Sequence, residues 1–403
     1  MIRGAVLAAI LGAAVAGCAR IDRGPPLSCP AFLPPGMATT VLSSQGPAPD
    51  AAAPPDPVAM TARIRRDTAA RIEDAILRDA RATPPGQPVR FRVLALSAGG
   101  QFGAFGAGLL SGWGAERGAF DLVTGVSAGA ILAPVAFAGP AFDDALSFYD
   151  GLDDTAIYRR DLLGALTGAP AVTDAAPLRA ALRARVTPAL VNAVAARGAR
   201  GGRLLVGVTN LETTGGEVFD LTAAATGPNA RDCIVAALMA SAAIPGLLPP
   251  QNVNGSLYAD GGLRSHVFLQ AIDDARRDAA RRTGRRVVVD AHIVVNGALD
   301  PPRTGTADAT LLGIVDRAVT TLADEVLRDS IAEAVTFAAD RPGWTLRGIR
   351  ARADLSACDD ADATGGFDPC VTTRLFRHGQ RIGAADPIPW LDADDLRALA
   401  DAL

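Results

Sequence analysis

Lysine is absent from the 403 residues, and only three histidines and 5% aromatic residues are present. Each shortage removes a class of chemistry. With no Gly-Lys-Ser/Thr anywhere, a phosphate cradle of the P-loop type is excluded. Positive charge rests on arginine alone and is outweighed by acids to a net −4, with no extended basic block. A nucleic-acid partner held through its phosphates is therefore not expected. His266, His292 and His378 are the only imidazoles that could take a proton in catalysis. Charged residues amount to 20% against 49% hydrophobic, so the chain has the apolar material for a substantial core.

Long hydrophobic runs are also scarce. The most apolar one, Gly4 to Gly17, follows Met1-Ile2-Arg3 and is too short to span a bilayer comfortably, which makes it the h-region of a signal peptide. Val15-Ala16-Gly17-Cys18 resembles a bacterial lipobox, in which Cys18 takes the lipid; an ordinary cleaved leader with an incidental Cys18 is the alternative. Several acyl chains are needed for stable anchoring. The expected localisation is the cell envelope, on the outer membrane facing the periplasm, since Ala19 rather than Asp follows the cysteine. Export would put Cys29, Cys233, Cys358 and Cys370 in an oxidising compartment. Cys358 and Cys370 flank a short Asp/Gly loop and are expected to pair. Asp359, Asp360 and Asp362 within it are oxygen donors without EF-hand spacing, so a solvated loop is expected rather than a calcium site. Cys233 lies in an apolar helical run and reads as a buried thiol.

The expected organisation is a signal peptide over 1–17, a Pro/Ala-rich tether over 18–57, an amphipathic helix and linker over 58–89, and a catalytic domain over 90–403. Short apolar strands at FRVLALS and FDLVTGV each run through a turn into a helix, and further strands are expected at 203–211 and 285–297. Helices are expected at 176–197, 231–243, 266–282 and 309–340. Strand and helix in alternation imply parallel βαβ units, an α/β fold with a sheet covered on both faces.

Three motifs carry chemistry. Gly125-Val126-Ser127-Ala128-Gly129 is a G-x-S-x-G sequence between a strand and a helix. A nucleophilic serine must project from a tight turn where bulky neighbours would clash, and the following helix turns its positive end toward a developing oxyanion. Gly99-Gly100-Gln101-Phe102-Gly103, again straight after a strand, can aim several backbone N–H groups at one oxygen. Two other readings of this turn are a dinucleotide turn with Ala98 as its first small residue, and helix–sheet packing by small residues, which also accounts for Gly106 and Gly108. Tyr258-Ala259-Asp260-Gly261-Gly262 presents a carboxylate at a strand end. None of the three histidines stands in a triad-like context: His292 is mid-strand, and His266 is expected on the helix after Asp260. The economical base for Ser127 is Asp260 itself. A Ser-His-Asp esterase and a non-catalytic envelope-binding lipoprotein are the alternatives.

In this order and spacing the motifs resemble the patatin-like phospholipase family over roughly residues 90–270, and more loosely to the C-terminus. Ala240 to Gly246 (ASAAIPG) and the stretch 209–221 resemble further family segments. The resemblance implies a three-layer α/β/α sandwich with a mostly parallel central sheet. It also implies lipid acyl ester hydrolysis without metal or cofactor, by a Ser127–Asp260 dyad with an oxyanion loop of Gly99, Gly100, Gln101 and Gly103. Family members usually carry Arg or Lys where this chain has Phe102, so a cation that would meet a phosphate or the oxyanion is missing here.

Overall fold

The computed structural model describes residues 26–32, 57–160, 171, 173–267, 269–297, 311–339, 341–358 and 366–401. The leader, Cys18 and most of the tether lie outside these residues, as do Asp359, Asp360 and Asp362. In chain order, α1 (Pro57–Ala82) leads into β1 (Val89–Leu96), α2 (Gly103–Trp113), β2 (Leu122–Val126) and α3 (Ala128–Ala138). A small antiparallel pair, β3 (Arg159–Arg160) and β4 (Thr173–Asp174), precedes α4 (Ala176–Arg185) and α5 (Pro188–Ala199). Then come β5 (Arg203–Asn210), β6 (Gly216–Asp220), α6 (Leu221–Ala224), α7 (Ala230–Ser241), β7 (Gln251–Val253) and β8 (Ser256–Asp260). The chain ends with α8 (Leu269–Thr283), β9 (Val287–Val295), α9 (Leu311–Ala339), β10 (Trp344–Arg350), α10 (Pro369–Gly383) and α11 (Ala393–Asp401).

Strand residues point alternately to opposite faces, and both faces are apolar, as a covered parallel sheet requires. On one side Leu94, Leu96, Val123, Leu204 and Val206 pack with α2, α3, α7 and α10. On the other, Phe91, Val93, Ala95, Leu122 and Leu205 meet Ile72 and Ile76 of α1, Ile272 of α8 and Ile331 of α9. The result is the expected α/β/α sandwich. Strands β10, β9, β1, β2 and β5 are parallel neighbours; β6 and β8 join β5 antiparallel, and β7 extends β8. Gly108 lets α2 and α10 pack closely, since a Cβ there would lie 1.9 Å from the Phe376 carbonyl oxygen. Among the described residues no helix is long and apolar enough to cross a membrane.

Two expectations are corrected. The helix expected over 176–197 is two helices, because Pro188 cannot continue α4 and drives Thr187 to an extended conformation, where its hydroxyl caps α5 by accepting the Leu190 N–H at 3.2 Å. Cys233 is not a free thiol: it is bonded to Cys29, 204 residues away, which fastens the 26–32 segment to α7. Cys358 and Cys370 pair as expected.

Candidate active site

Ser127 and Asp260 are far apart in sequence, and β5 explains how they meet. One edge of β5 is taken by β6 over Leu205 to Thr209. The other edge is shared end to end: β2 pairs as far as Val126 opposite Gly207, and β8 takes over with Asp260 opposite Val208. Ser127 leaves the end of β2 at the place where Asp260 ends β8. The Ser127 hydroxyl faces the Asp260 carboxyl closely enough to favour its ionised form. Both residues are buried, at 5% and 6% exposure.

The turn at Ser127 is strained, with φ 52° and ψ −119°, a sparsely populated region for a side-chain-bearing residue. It is fixed by close packing of glycines on either side. A Cβ on Gly125 would stand 2.5 Å from the Gly129 carbonyl oxygen, and one on Gly129 would stand 2.2 Å from that of Leu96. It is also fixed by a hydrogen bond that sequence reading missed: the Ser127 N–H donates to Ser241 Oγ at 2.9 Å, while that hydroxyl donates to the Gly207 carbonyl at 2.7 Å. Ser241 lies in the ASAAIPG stretch singled out above, which was the available signal, but its partners are distant in sequence.

The glycine turn lies against this elbow. A Cβ on Gly103 would be 2.7 Å from the Cβ of Ala128, the residue after Ser127, and one on Gly99 would be 2.2 Å from the Asn296 carbonyl oxygen. Gly100 has φ +54°, a conformation that favours glycine. Residues 100–102 form a 3-10 turn that runs into α2. The Phe102 N–H is taken by the Gly99 carbonyl and the Gly103 N–H by that of Gly100, so Gly103 serves the turn by its packing on Ala128 rather than by a free amide. The amides that open the turn are those of Gly100 and Gln101. The Gln101 Oε1 accepts the N–H of Asp368 at 3.2 Å, at the cap of α10. Asn296, also missed, anchors the base of the turn. Its Nδ2 donates to the Ser97 carbonyl at 2.8 Å and its N–H to Ser97 Oγ at 2.9 Å. Phe102 packs partly buried against the core.

Burial pushes the Asp260 carboxyl up to about 6, against the pull of the Ser127 hydroxyl and the Gly262 amide, which donates to Oδ1 at 2.8 Å. A carboxylate with this affinity for protons is suited to general-base work near neutral pH. No hydrogen bond joins any histidine to Ser127 or Asp260 among the described residues. His292 sits in β9 among Trp113, Phe120 and Trp390, and burial lowers it to about 4. His378 is on α10 beside Phe105. His266 precedes α8 rather than lying on it; its Nδ1 accepts the Ala98 N–H at 3.3 Å, and burial holds it at about 4, so the ring is neutral at pH 7. Among the described residues the metal-type donors Cys358, Asp368 and Cys370 converge, but the two sulfurs are bonded to each other.

A family model described as patatin-like phospholipase matches residues 94–272. That span contains the glycine turn, the serine elbow and the Asp260 turn. No curated protein matches. Among solved structures the chain is similar to the crystal structure of VipD from Legionella pneumophila, with 14% identity over 77% of this chain and 67% of that one and a TM-score of 0.31. At that distance the likeness carries no argument about the site.

Proposed function

We propose that the chain is a lipid acyl hydrolase of the patatin-like phospholipase type, as the match over residues 94–272 supports, and that it works through a Ser127–Asp260 dyad with the 99–103 turn as oxyanion hole. The observation that supports this reading is the convergence of two buried side chains, Ser127 leaving β2 where Asp260 ends β8, with the carboxyl raised by burial to about 6. Asp260 takes the hydroxyl proton as Ser127 Oγ attacks the ester carbonyl carbon. The carbonyl oxygen gains the negative charge and is held by amides of Gly99, Gly100 and Gln101 and by the positive end of α3. Collapse of the tetrahedral intermediate expels the alcohol, which receives its proton from Asp260, and leaves an acyl-serine. Water, deprotonated by Asp260, then attacks the acyl carbon and frees the fatty acid.

A Ser-His-Asp triad is not favoured, because the His266 Nδ1 already accepts the Ala98 N–H and His292 lies among aromatic rings. Lipidation at Cys18 and residence in the cell envelope belong to the same reading. Two disulfides among the described residues, Cys29–Cys233 and Cys358–Cys370, fit an exported protein and leave Cys18 as the fifth cysteine. Fatty-acid release from a panel of esters and phospholipids tests the mechanism. Ser127→Ala and Asp260→Asn should each lose activity by about 10³-fold or more, and an activity-based fluorophosphonate should label the wild type at Ser127 alone. Retained hydrolysis in Ser127→Ala would refute the reading.

A further inference from the structure

Two separate turns carry the reactive geometry, and a single buried side chain touches both. His266 is 2% exposed. On one edge its Nδ1 accepts the N–H of Ala98, the residue that opens the glycine turn. On the other, a Cβ built on Gly262 would stand 3.1 Å from His266 Cε1, 3.4 Å from Nε2 and 3.0 Å from Asp260 Oδ1. Gly262 is thus enclosed between the imidazole and the carboxylate, and its N–H is the group that aims Oδ1. The backbone that carries the ring is held in turn, since the His266 main-chain N–H donates to Ser330 Oγ of α9 at 3.1 Å.

We propose that His266 is a positioning residue that sets the spacing between the oxyanion turn and Asp260, acting through the Ala98 amide on one side and Gly262 on the other; this rests on the dyad reading. No hydrogen bond joins the side chain to Ser127 among the described residues, so its effect is on where charge is received rather than on proton transfer. A purely apolar residue could fill the same space, but it would leave the Ala98 N–H without an acceptor. The turn would then be free to move toward another one. Displacement of about 1 Å at a catalytic group costs roughly 10²-fold in rate.

Three substitutions separate acceptor from filler. In His266→Asn the amide oxygen is one bond from Cγ, as Nδ1 is, and can take the Ala98 N–H. In His266→Gln the acceptor sits one bond farther out, and His266→Leu fills space without any acceptor. Measurements are kcat and KM on a soluble ester, the rate of fluorophosphonate labelling of Ser127, and the thermal midpoint. The expected result is a kcat loss of about 10–100-fold in His266→Leu and His266→Gln with KM changed by less than about 3-fold, and recovery to within a few-fold of wild type in His266→Asn. The proposal is overturned if His266→Leu keeps kcat within about 3-fold, or if His266→Asn is no better than His266→Gln. The second comparison decides the matter if His266→Leu does not fold. A wild type that neither labels nor hydrolyses would instead sink the dyad reading, and this proposal with it.

Discussion

Ser241→Ala tests whether the elbow is held in its strained form from outside. The Ser241 hydroxyl is fully buried and serves two backbone groups, accepting the Ser127 N–H at 2.9 Å and donating to the Gly207 carbonyl at 2.7 Å. Removing one oxygen atom leaves both groups unpaired in a dry interior, each at a cost of about 1–3 kcal/mol. Relaxation of the turn at Ser127 would recover part of that, since a backbone in such a region stores about 1–3 kcal/mol. The net destabilisation should be about 2–4 kcal/mol, which a domain with roughly 5–15 kcal/mol of stability survives. The same relaxation shifts Oγ relative to Asp260 and the glycine turn, so kcat should fall by about 10²-fold. Urea unfolding at pH 7.5 reads the first quantity; ester hydrolysis and phosphonate labelling of Ser127 read the second. A variant within about 0.5 kcal/mol and 3-fold of wild type would show that the glycine contacts alone hold the elbow, and the argument would fail.

Asp260 must be ionised to act as base, so with its carboxyl at about 6 kcat/KM should rise about tenfold per pH unit below 6 and level off above it; a profile still flat at pH 4.5 would contradict the assignment. Asp79 is raised to about 7 by burial and by the nearby Asp121. A carboxyl whose folded value exceeds its unfolded one contributes stability at low pH that is lost as pH climbs from about 4 through 7. At face value the shift is worth about 4 kcal/mol, and about 1–2 kcal/mol after allowing for solvent screening of a part-exposed group. Asp79→Asn should accordingly stabilise the protein by that amount at pH 8 and much less at pH 5, and equal gains in urea unfolding at both pH values would refute it. The Cys29–Cys233 bond closes a loop 204 residues apart and Cys358–Cys370 one of 12, for which chain entropy gives about 5 and about 3 kcal/mol. Paired Cys→Ala replacements should lower the urea midpoint in that order, and the reverse order would mean that the 26–32 segment is held by its other contacts.

Much of the site was legible because its motifs are local. A strand, a glycine-flanked serine and a helix must be contiguous to make an elbow, so Gly125, Ser127 and Gly129 declare themselves within five residues. Asp260 between a strand and two glycines is legible for the same reason. The supporting residues are not local. Ser241 meets Ser127 across 114 residues, and Asn296 meets Ser97 across 199; neither carries a sequence signature of its partner. Cys233 was misread because a half-apolar helix is the usual setting of a buried thiol, and nothing near Cys29 marks it as the partner. The break between α4 and α5 was present in Thr187-Pro188, a cap followed by a proline, but helical periodicity on both sides masked it.

The scarcity of histidine and the topology of the sheet have a common explanation. At the carboxyl end of a parallel strand, groups supplied by neighbouring parallel strands reach the serine from loops on the rim, where water keeps a carboxylate a weak base. Here β8 runs the other way and stops end-on against β2, so Asp260 arrives from within the sheet. The fit is close: a Cβ on the next residue, Gly261, would stand 2.3 Å from the Gly207 carbonyl oxygen. Burial at that junction is the largest influence raising the Asp260 carboxyl to about 6, about two pH units of added basicity over a solvated aspartate. In the proposed dyad an antiparallel strand inserted beside parallel β5 would thus do what an intervening imidazole does in a triad, bringing a base of near-neutral pKa up to the serine. On that mechanism no histidine is needed in proton transfer, which leaves His266 available for the bracing role proposed above.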